Sequence, residues 1–303
     1  MSKLCSLRDA IAAEVKDGMA LAMGCGLESL IPFAASHEII RQRKRNLTLI
    51  APISDIQFDQ LIGAGCAQKV IAAWVGNVAA GLGHNFRRAM EEEVPGPVEI
   101  DEHSNFTLGL GLQAAAMGLP YLPTRTALGS DFAQAPHFRT VLCPFSGEKL
   151  LAVGAVVPDL AILHVQRSDI EGNAHVWGNL GVVRAAAMAA KRVIITCEEI
   201  VSHADILSDP NRTVIPGFVV SRVVHEPFGS HPSPVQGYVR RDDAFFFEYH
   251  RESRRREDFL HWLQTWVLGT EDHTDLLRKL GPERIEALKP QGNLFPVPAS
   301  YNI

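Results

Sequence analysis

A cluster of polar side chains that could do chemistry lies near the middle of the chain: Glu102, His103, Ser104 and Asn105. A glutamate among Ser, Asn and His can act as a general base or acid, or can orient a substrate. A structural role also explains these residues. Ser104 or Asn105 would cap the N-terminus of a helix, and the negative charge of Glu102 would interact favourably with the positive end of that helix. The spacing alone leaves the two interpretations open.

The elements on either side place this cluster at a corner. Val98 and Ile100 alternate with carboxylates, which predicts a strand over residues 98–101. An apolar run with small residues follows from Phe106 and predicts a helix that ends at Gly118-Leu119-Pro120. Ligands of open α/β sheets bind beyond the carboxyl ends of strands, beside helix N-termini. This corner is therefore the leading candidate site, with Glu102 as the catalytic residue.

The rest of the chain alternates between predicted strands and helices. We predict further strands over residues 19–23, 47–51, 69–75, 140–144, 150–156, 159–165, 192–197 and 218–225. This order favours an α/β, Rossmann-like fold with a mostly parallel sheet and helices on both faces. An aromatic-rich helical stretch is predicted over residues 242–268. We predict a single domain over residues 1–288, followed by a tail over residues 289–303.

Composition excludes several classes of function. The formal net charge of -5 gives no electrostatic case for nucleic acid. No apolar run is long enough to cross a membrane, and residues 1–6 contain no apolar signal core, so we expect a cytoplasmic protein. The five cysteines form no C-x-x-C pair and the histidines are scattered, so we expect no metal site.

A glycine turn, Gly24-Cys25-Gly26, ends the first predicted strand. Glycines there let backbone amides approach an anionic or carbonyl group. The third glycine of a dinucleotide fingerprint is missing, which argues against a nicotinamide cofactor. Cys25 precedes a helix and could be a reactive thiol, but no histidine is obviously tied to it, which favours a packing role.

Several motifs in this order resemble the alpha subunits of glutaconate CoA-transferases, which are family I CoA-transferases. They are D-G-M-A-L-A-M-G-C-G, E-H-S-N-F, A-A-A-M-G-L-P, P-T-R, L-G-S-D, S-D-I-E-G-N-A and H-P-S-P. The resemblance extends from about Leu7 to Leu280. It implies the family I fold, no permanently bound cofactor, and a coenzyme A thioester as substrate.

The resemblance also implies a homologous beta subunit, in a heterodimer or heterotetramer, that carries the nucleophilic glutamate in an S-E-N-G type segment. No such segment occurs here, as expected of an alpha chain. This chain would bind the carboxylic acid, and Gly24 and Gly26 would add backbone contacts. The side chains that match the family motif are Glu102, Ser104, Asn105, Arg125, Ser130 and Asp131.

Relatives of this alpha subunit suggest two alternatives. In a steroid ring-cleaving CoA-thioester hydrolase, or in a methylglutaconyl-CoA decarboxylase, the glutamate matching Glu102 would serve as the base. A catalytically silent scaffold that completes the partner's fold is the third hypothesis.

Overall fold

The structure of the protein is a computed structural model that describes residues 3–290. Its strands are β1 (Ala20–Met23), β2 (Leu47–Ile53), β3 (Ala67–Trp74), β4 (Gly76–Asn77), β5 (Gly81–Leu82), β6 (Glu99–Glu102), β7 (Tyr121–Thr124), β8 (Phe138–Leu142), β9 (Lys149–Gly154), β10 (Leu160–Ser168), β11 (Ala174–His175), β12 (Val193–Ile200), β13 (Thr213–Ile215) and β14 (Val220–His225). Its helices are α1 (Leu7–Glu14), α2 (Phe33–Arg41), α3 (Ile56–Gly63), α4 (His84–Glu92), α5 (Asn105–Ala116), α6 (Val183–Ala189), α7 (His203–Ser208), α8 (Asp243–Ser253), α9 (Arg256–Leu263), α10 (His273–Leu280) and α11 (Pro282–Ala287).

A parallel sheet with the strand order β6-β3-β2-β1-β10-β12-β14 forms the centre of the fold. The short strands β11 and β13 extend it in antiparallel fashion beyond the end of β10. The carboxyl ends of the parallel strands meet at one edge of the sheet. This edge places β6 and the turn after β1 on the same side of the molecule.

Helices cover both faces of the sheet, and the alternation of side chains along the strands explains why. Leu21 and Met23 of β1 belong to one buried cluster, with side chains of α1, α2, α3, α8 and α9. Ala22 belongs to the other cluster, with side chains of α5 and α6. Because successive strand residues point to opposite faces, apolar residues at consecutive positions require cover on both sides. The predicted fold class is confirmed.

A second, three-stranded antiparallel sheet has the order β7-β9-β8. Leu151, Val153 and Phe138 form a small buried cluster on one of its faces, against partly buried side chains that include Leu110 of α5. The sequence predicts short strands in this region, but it does not predict that they form a separate sheet.

Two sequence predictions near the C-terminus have different outcomes. The continuous helical stretch over residues 242–268 is wrong, because Arg255 is extended, with φ -110° and ψ 145°, and separates α8 from α9. A π-helical turn, Gln264–Leu268, then continues α9. The single domain over residues 1–288 stays a prediction, and the predicted tail lies outside the described residues from residue 291 onwards.

Candidate active site at the carboxyl edge of the sheet

Glu102 is the last residue of β6, the strand at one end of the parallel sheet, and lies opposite Ala72 of β3. Its side chain is exposed, and within residues 3–290 its carboxylate has no hydrogen bond or ion pair. The neighbouring Asp101 differs, because its carboxylate lies 2.8 Å from the Lys69 ammonium. Of these two adjacent carboxylates, only Glu102 is available to a ligand.

The backbone around Glu102 is held from two sides. The His103 amide donates to the carbonyl of Ala72, at 2.9 Å. On the other side, Nε2 of His137 lies 2.9 Å from the carbonyl oxygen of Glu102. Since a carbonyl only accepts, Nε2 of His137 carries the proton in this bond. The peptide that carries Glu102 is therefore positioned by the sheet and by the loop before β8.

A stack of aromatic rings supports this arrangement. The rings of His103 and His137 lie 4.6 Å apart with an interplanar angle of 27°. Phe138 contacts both, with centroid distances of 5.2 Å to His103 and 4.3 Å to His137. Burial, and secondarily the nearby His137, lower the pKa of His103 to about 4. His103 is consequently neutral at pH 7, and it packs rather than carries charge.

Ser104 is the N-cap of α5, as the structural interpretation of the sequence predicts. Its hydroxyl accepts from the Thr107 amide at 3.0 Å, and the Ser104 amide donates to Oγ1 of Thr107 at 2.9 Å. This reciprocal pair satisfies two groups at the helix start and fixes the angle between β6 and α5. Asn105 is the exposed first residue of the helix.

The other predicted side chains lie on the loop that leads from β7 towards His137. Arg125 forms a two-pronged ion pair with Glu148, with both N–O distances at 2.7 Å. The Ser130 hydroxyl donates to the Ala127 carbonyl at 2.8 Å, and exposed Asp131 begins a short 3-10 turn. In the described part of the chain, none of these three side chains is hydrogen-bonded to Glu102. The structure thus puts them on a connected loop without joining them into one constellation.

Gly24 and Gly26 lie in the turn after β1, three strands along the sheet from β6, which is roughly 14 Å. Gly24 has φ +70°, a region that other residues rarely adopt. A Cβ on Gly26 would lie 2.4 Å from the carbonyl oxygen of Ser29. Both glycines are thus required by the turn itself, whatever contact with a ligand they make.

The edge around Glu102 is open. Cavities of about 580 and 410 Å³ share Arg8 and Arg41 in their walls, and neither is lined by any predicted site residue. Glu102 therefore faces outwards from the subunit instead of into one of these cavities.

Comparison with known proteins identifies the fold and the family. The sequence profile of the coenzyme A transferase family matches residues 5–226. The chain belongs to the coenzyme A transferase family. It is 43% identical over 281 residues to one subunit of the 3-oxoadipate CoA-transferase of Pseudomonas knackmussii, covering 92% of this chain and 99% of the relative.

Two solved structures are also similar to this coenzyme A transferase chain. Glutaconate coenzyme A-transferase from Acidaminococcus fermentans superposes with a TM-score of 0.91 at 33% identity, covering 98% of each chain. A decarboxylase, AibA/AibB, superposes with a TM-score of 0.76 at 32% identity, covering 88% of this chain and 100% of its own. The resemblance read from the motifs is confirmed.

Other chemical groups of this coenzyme A transferase chain bear on the alternatives. Cys25 is buried, and burial raises the pKa of its thiol to about 12, which favours packing over nucleophilic chemistry. Among residues 3–290 no group of three or more His, Cys, Asp or Glu side chains could hold a metal ion. In the same range no helix has the length and apolarity needed to span a bilayer.

His137 and Thr107 are the residues that sequence reasoning missed. Thr107 stands three positions after Ser104, where a capping-box partner belongs, so the cap spacing could have revealed it. His137 lies 35 positions from Glu102 and belongs to none of the family motifs, so only the folded loop shows their contact.

Proposed function

We propose that this chain is the alpha subunit of a heteromeric CoA-transferase that moves coenzyme A between an acyl-CoA and a carboxylic acid. The observation that carries the proposal is the exposed carboxylate of Glu102 at an open sheet edge, which has no partner within residues 3–290 and whose backbone is held in place. A carboxylate fixed in this way is prepared for groups that come from outside the subunit. The 43% identical relative is named as one subunit of its enzyme. This supports a second chain as the source of those outside groups.

In the proposed reaction the partner subunit supplies a nucleophilic glutamate. Its carboxylate oxygen attacks the acyl carbonyl carbon, and the CoA thiolate leaves, which gives a mixed anhydride. The thiolate then attacks the glutamyl carbonyl, so that a glutamyl thioester forms and the first acid departs. The second acid repeats these steps in reverse order and leaves as the new acyl-CoA. Each bond broken in one half is formed again in the other, so the reaction balances without an oxidant or reductant.

This chain contributes the wall that binds the acid. We assign the catalytic role to Glu102 and substrate binding to the remaining predicted residues, which are Ser104, Asn105, Arg125, Ser130, Asp131, Gly24 and Gly26. The first amides of α5 support this assignment, because the first N–H groups of a helix have no partner within it and favour negative charge. The relatives named for 3-oxoadipate and glutaconate suggest that the acid is a dicarboxylate.

The proposal is tested by measuring CoA transfer by this chain after co-expression with its own beta subunit. Acetyl-CoA and a set of dicarboxylic acids should yield new thioesters with ping-pong kinetics. Incubation with acyl-CoA forms the glutamyl thioester, which borohydride then reduces. The reduced glutamate should lie in the partner, and no glutamate of this chain should be reduced. Absence of transfer to every acid tested would refute the proposal.

A second candidate function uses the same unpaired Glu102 as a general base in hydrolysis or decarboxylation of a CoA thioester. The similarity to a decarboxylase structure supports it. In that case Glu102→Gln should lower turnover by about 10²–10⁴-fold, the usual contribution of a general base. Under transfer the same variant should still form the partner's glutamyl thioester. Glu99→Gln is the matched control, because Glu99 is an exposed carboxylate on the same strand.

The scaffold hypothesis predicts a different outcome. Simultaneous replacement of Glu102, Ser104 and Asn105 should then leave activity nearly normal, provided that the complex still forms. A large loss of activity in an assembled complex would exclude it.

A further inference from the structure

The three-stranded sheet β7-β9-β8 has one face that the described part of the chain leaves largely uncovered. In its register Leu122 and Phe138 are the partners of Val153, and these side chains point towards the small buried cluster. Residues one position away point to the opposite face. That face presents the apolar side chains of Tyr121, Pro123, Val141 and Leu150, with the buried Ala152 between them and the exposed Arg139 paired with Ala152 on β8. Tyr121 is 43% exposed and Pro123 is also exposed.

The hairpin between β8 and β9 adds an exposed apolar side chain at its tip. Phe145 there is 98% exposed, whereas Leu142, which is 71% exposed, lies four positions after Phe138 and therefore belongs to the opposite face. The tip is nonetheless ordered by hydrogen bonds, since the Cys143 amide donates to the Glu148 carbonyl and the Gly147 amide to the Cys143 carbonyl, both at 2.8 Å. A fully exposed phenylalanine on a structured hairpin is unfavourable for an isolated chain, and it is typical of a residue that anchors in a partner's pocket.

The same sheet adjoins the candidate active site. His137 immediately precedes β8 and binds the carbonyl of Glu102. Phe138, the first residue of β8, packs on the rings of His137 and His103. From Phe138 to Leu142 the strand extends roughly 13 Å, at about 3.3 Å per residue. A single partner surface can therefore cover the hairpin tip and reach Glu102.

The size of the sheet also constrains what covers it. Three strands of about four residues occupy roughly 200 Å² in outline. A stable protein–protein interface needs about 800 Å² from each partner. The occupant must therefore extend beyond the sheet, over the hairpin tip on one side and towards Glu102 and exposed Phe106 of α5 on the other.

We propose that this docking face, consisting of Tyr121, Pro123, Val141 and Leu150 with Phe145 of the hairpin tip, binds the beta subunit that completes the Glu102 site. A second copy of this chain is less suitable, because it would cover the edge beside Glu102 without bringing the carboxylate nucleophile that the proposed reaction needs. The docking face rests on the proposed function in this one respect.

The experiment uses the complex of this chain with its own beta subunit. Phe145→Asp and Tyr121→Asp should each raise the dissociation constant at least tenfold, measured by mass photometry over a dilution series. Phe218→Asp is the matched control, since Phe218 is 80% exposed but lies in the 3-10 turn before β14, across the parallel sheet from β6. Circular dichroism confirms folding, because none of these exposed side chains contributes to the core.

A native thiol gives a second measurement that needs no mutation. Cys143 lies at the base of the hairpin tip and is partly exposed, whereas the partly exposed Cys5 lies beside Val223 of β14. Alkylation of Cys143 should accelerate at least fivefold when the wild-type complex is diluted below its dissociation constant, while the rate at Cys5 stays unchanged.

Three outcomes would overturn the docking face. They are normal assembly of Phe145→Asp and Tyr121→Asp, equal weakening by Phe218→Asp, and loss of a self-dimer of this chain while binding to the beta subunit persists. If the wild-type complex shows no CoA transfer but the Phe145→Asp variant weakens assembly, only the proposed function is refuted. If the wild-type complex transfers CoA but Phe145→Asp leaves the dissociation constant unchanged, only the docking face is refuted.

Discussion

His137 should be required for full activity although it belongs to none of the family motifs. His137→Phe removes the hydrogen bond from Nε2 to the Glu102 carbonyl, which is 2.9 Å long, and retains a ring that can stack on His103. A hydrogen bond of this kind contributes about 1 kcal/mol net, which corresponds to about a fivefold change in an equilibrium. We therefore expect kcat to fall about fivefold with little change in KM. The free energy of unfolding should fall by no more than about 1 kcal/mol, the contribution of the lost hydrogen bond, because the stack remains.

The same variant should change the titration of His103. Burial and the neighbouring His137 both lower the pKa of His103, to about 4. Removing His137 eliminates the smaller cause, so the pKa should rise but remain below its usual 6.5. NMR titration of the His103 ring measures this directly. A residue with a purely structural role at position 137 would lower stability and leave kcat unchanged.

His225→Phe provides a closely matched control. Nε2 of His225, at the end of β14, also donates to a backbone carbonyl, that of Glu198 in β12, at 3.2 Å, but it does so on the other half of the sheet. We expect wild-type kcat for this variant. Equal losses for His137→Phe and His225→Phe, or no loss for either, would refute the assignment of His137 as a positioning residue.

Two further predictions concern the turn after β1 and a buried carboxyl. Gly26→Ala would place its Cβ 2.4 Å from the Ser29 carbonyl oxygen. The variant should therefore lower the free energy of unfolding, measured in urea, by about 1–3 kcal/mol. Gly96→Ala is the control and should leave stability unchanged, because a Cβ at Gly96 meets no atom within 4 Å. Burial, and then the nearby Asp272, raise the pKa of Glu226 to about 7, so the folded state loses stability as pH rises from 4.5 through 7. Glu226→Gln should therefore be more stable than wild type at pH 8 by up to about 3 kcal/mol, and the difference should vanish near pH 4.5. A variant that is no more stable than wild type at either pH value would contradict this.

The sequence predicts the central sheet well because its strands are buried on both faces. The first half of β10, Leu160 to Leu163, is apolar at four consecutive positions, and only a strand covered on both sides, or a buried helix, tolerates that pattern. The break between α8 and α9 could not be predicted in the same way. Residues 251–256 contain neither Gly nor Pro, so helix propensity gives no reason to stop there. Tertiary contacts are present at the break, since Arg88 of α4 donates to the carbonyls of Ser253 and Arg254.

The candidate site shows where prediction from sequence reaches its limit. Glu102 and Ser104 are close together in the chain, so a strand end followed by a helix cap places both at one corner. Arg125 belongs to a family motif, yet its guanidinium is bound to Glu148, a pairing that depends on the register between β7 and β9. No local pattern encodes that register, just as none encodes the contact of His137 with Glu102.

The two contacts that hold Glu102 also have a consequence for when the enzyme becomes active. One comes from β3 of the central sheet, and the other comes from the loop before β8, which belongs to the small sheet. Both lie within this chain, so the Glu102 peptide is in place before the beta subunit binds. Preorganisation of this kind lowers the cost of completing the site on association. Under the proposed function, assembly needs to bring only the partner's nucleophile to a carboxylate that is already positioned, so we expect activity to require an occupied docking face.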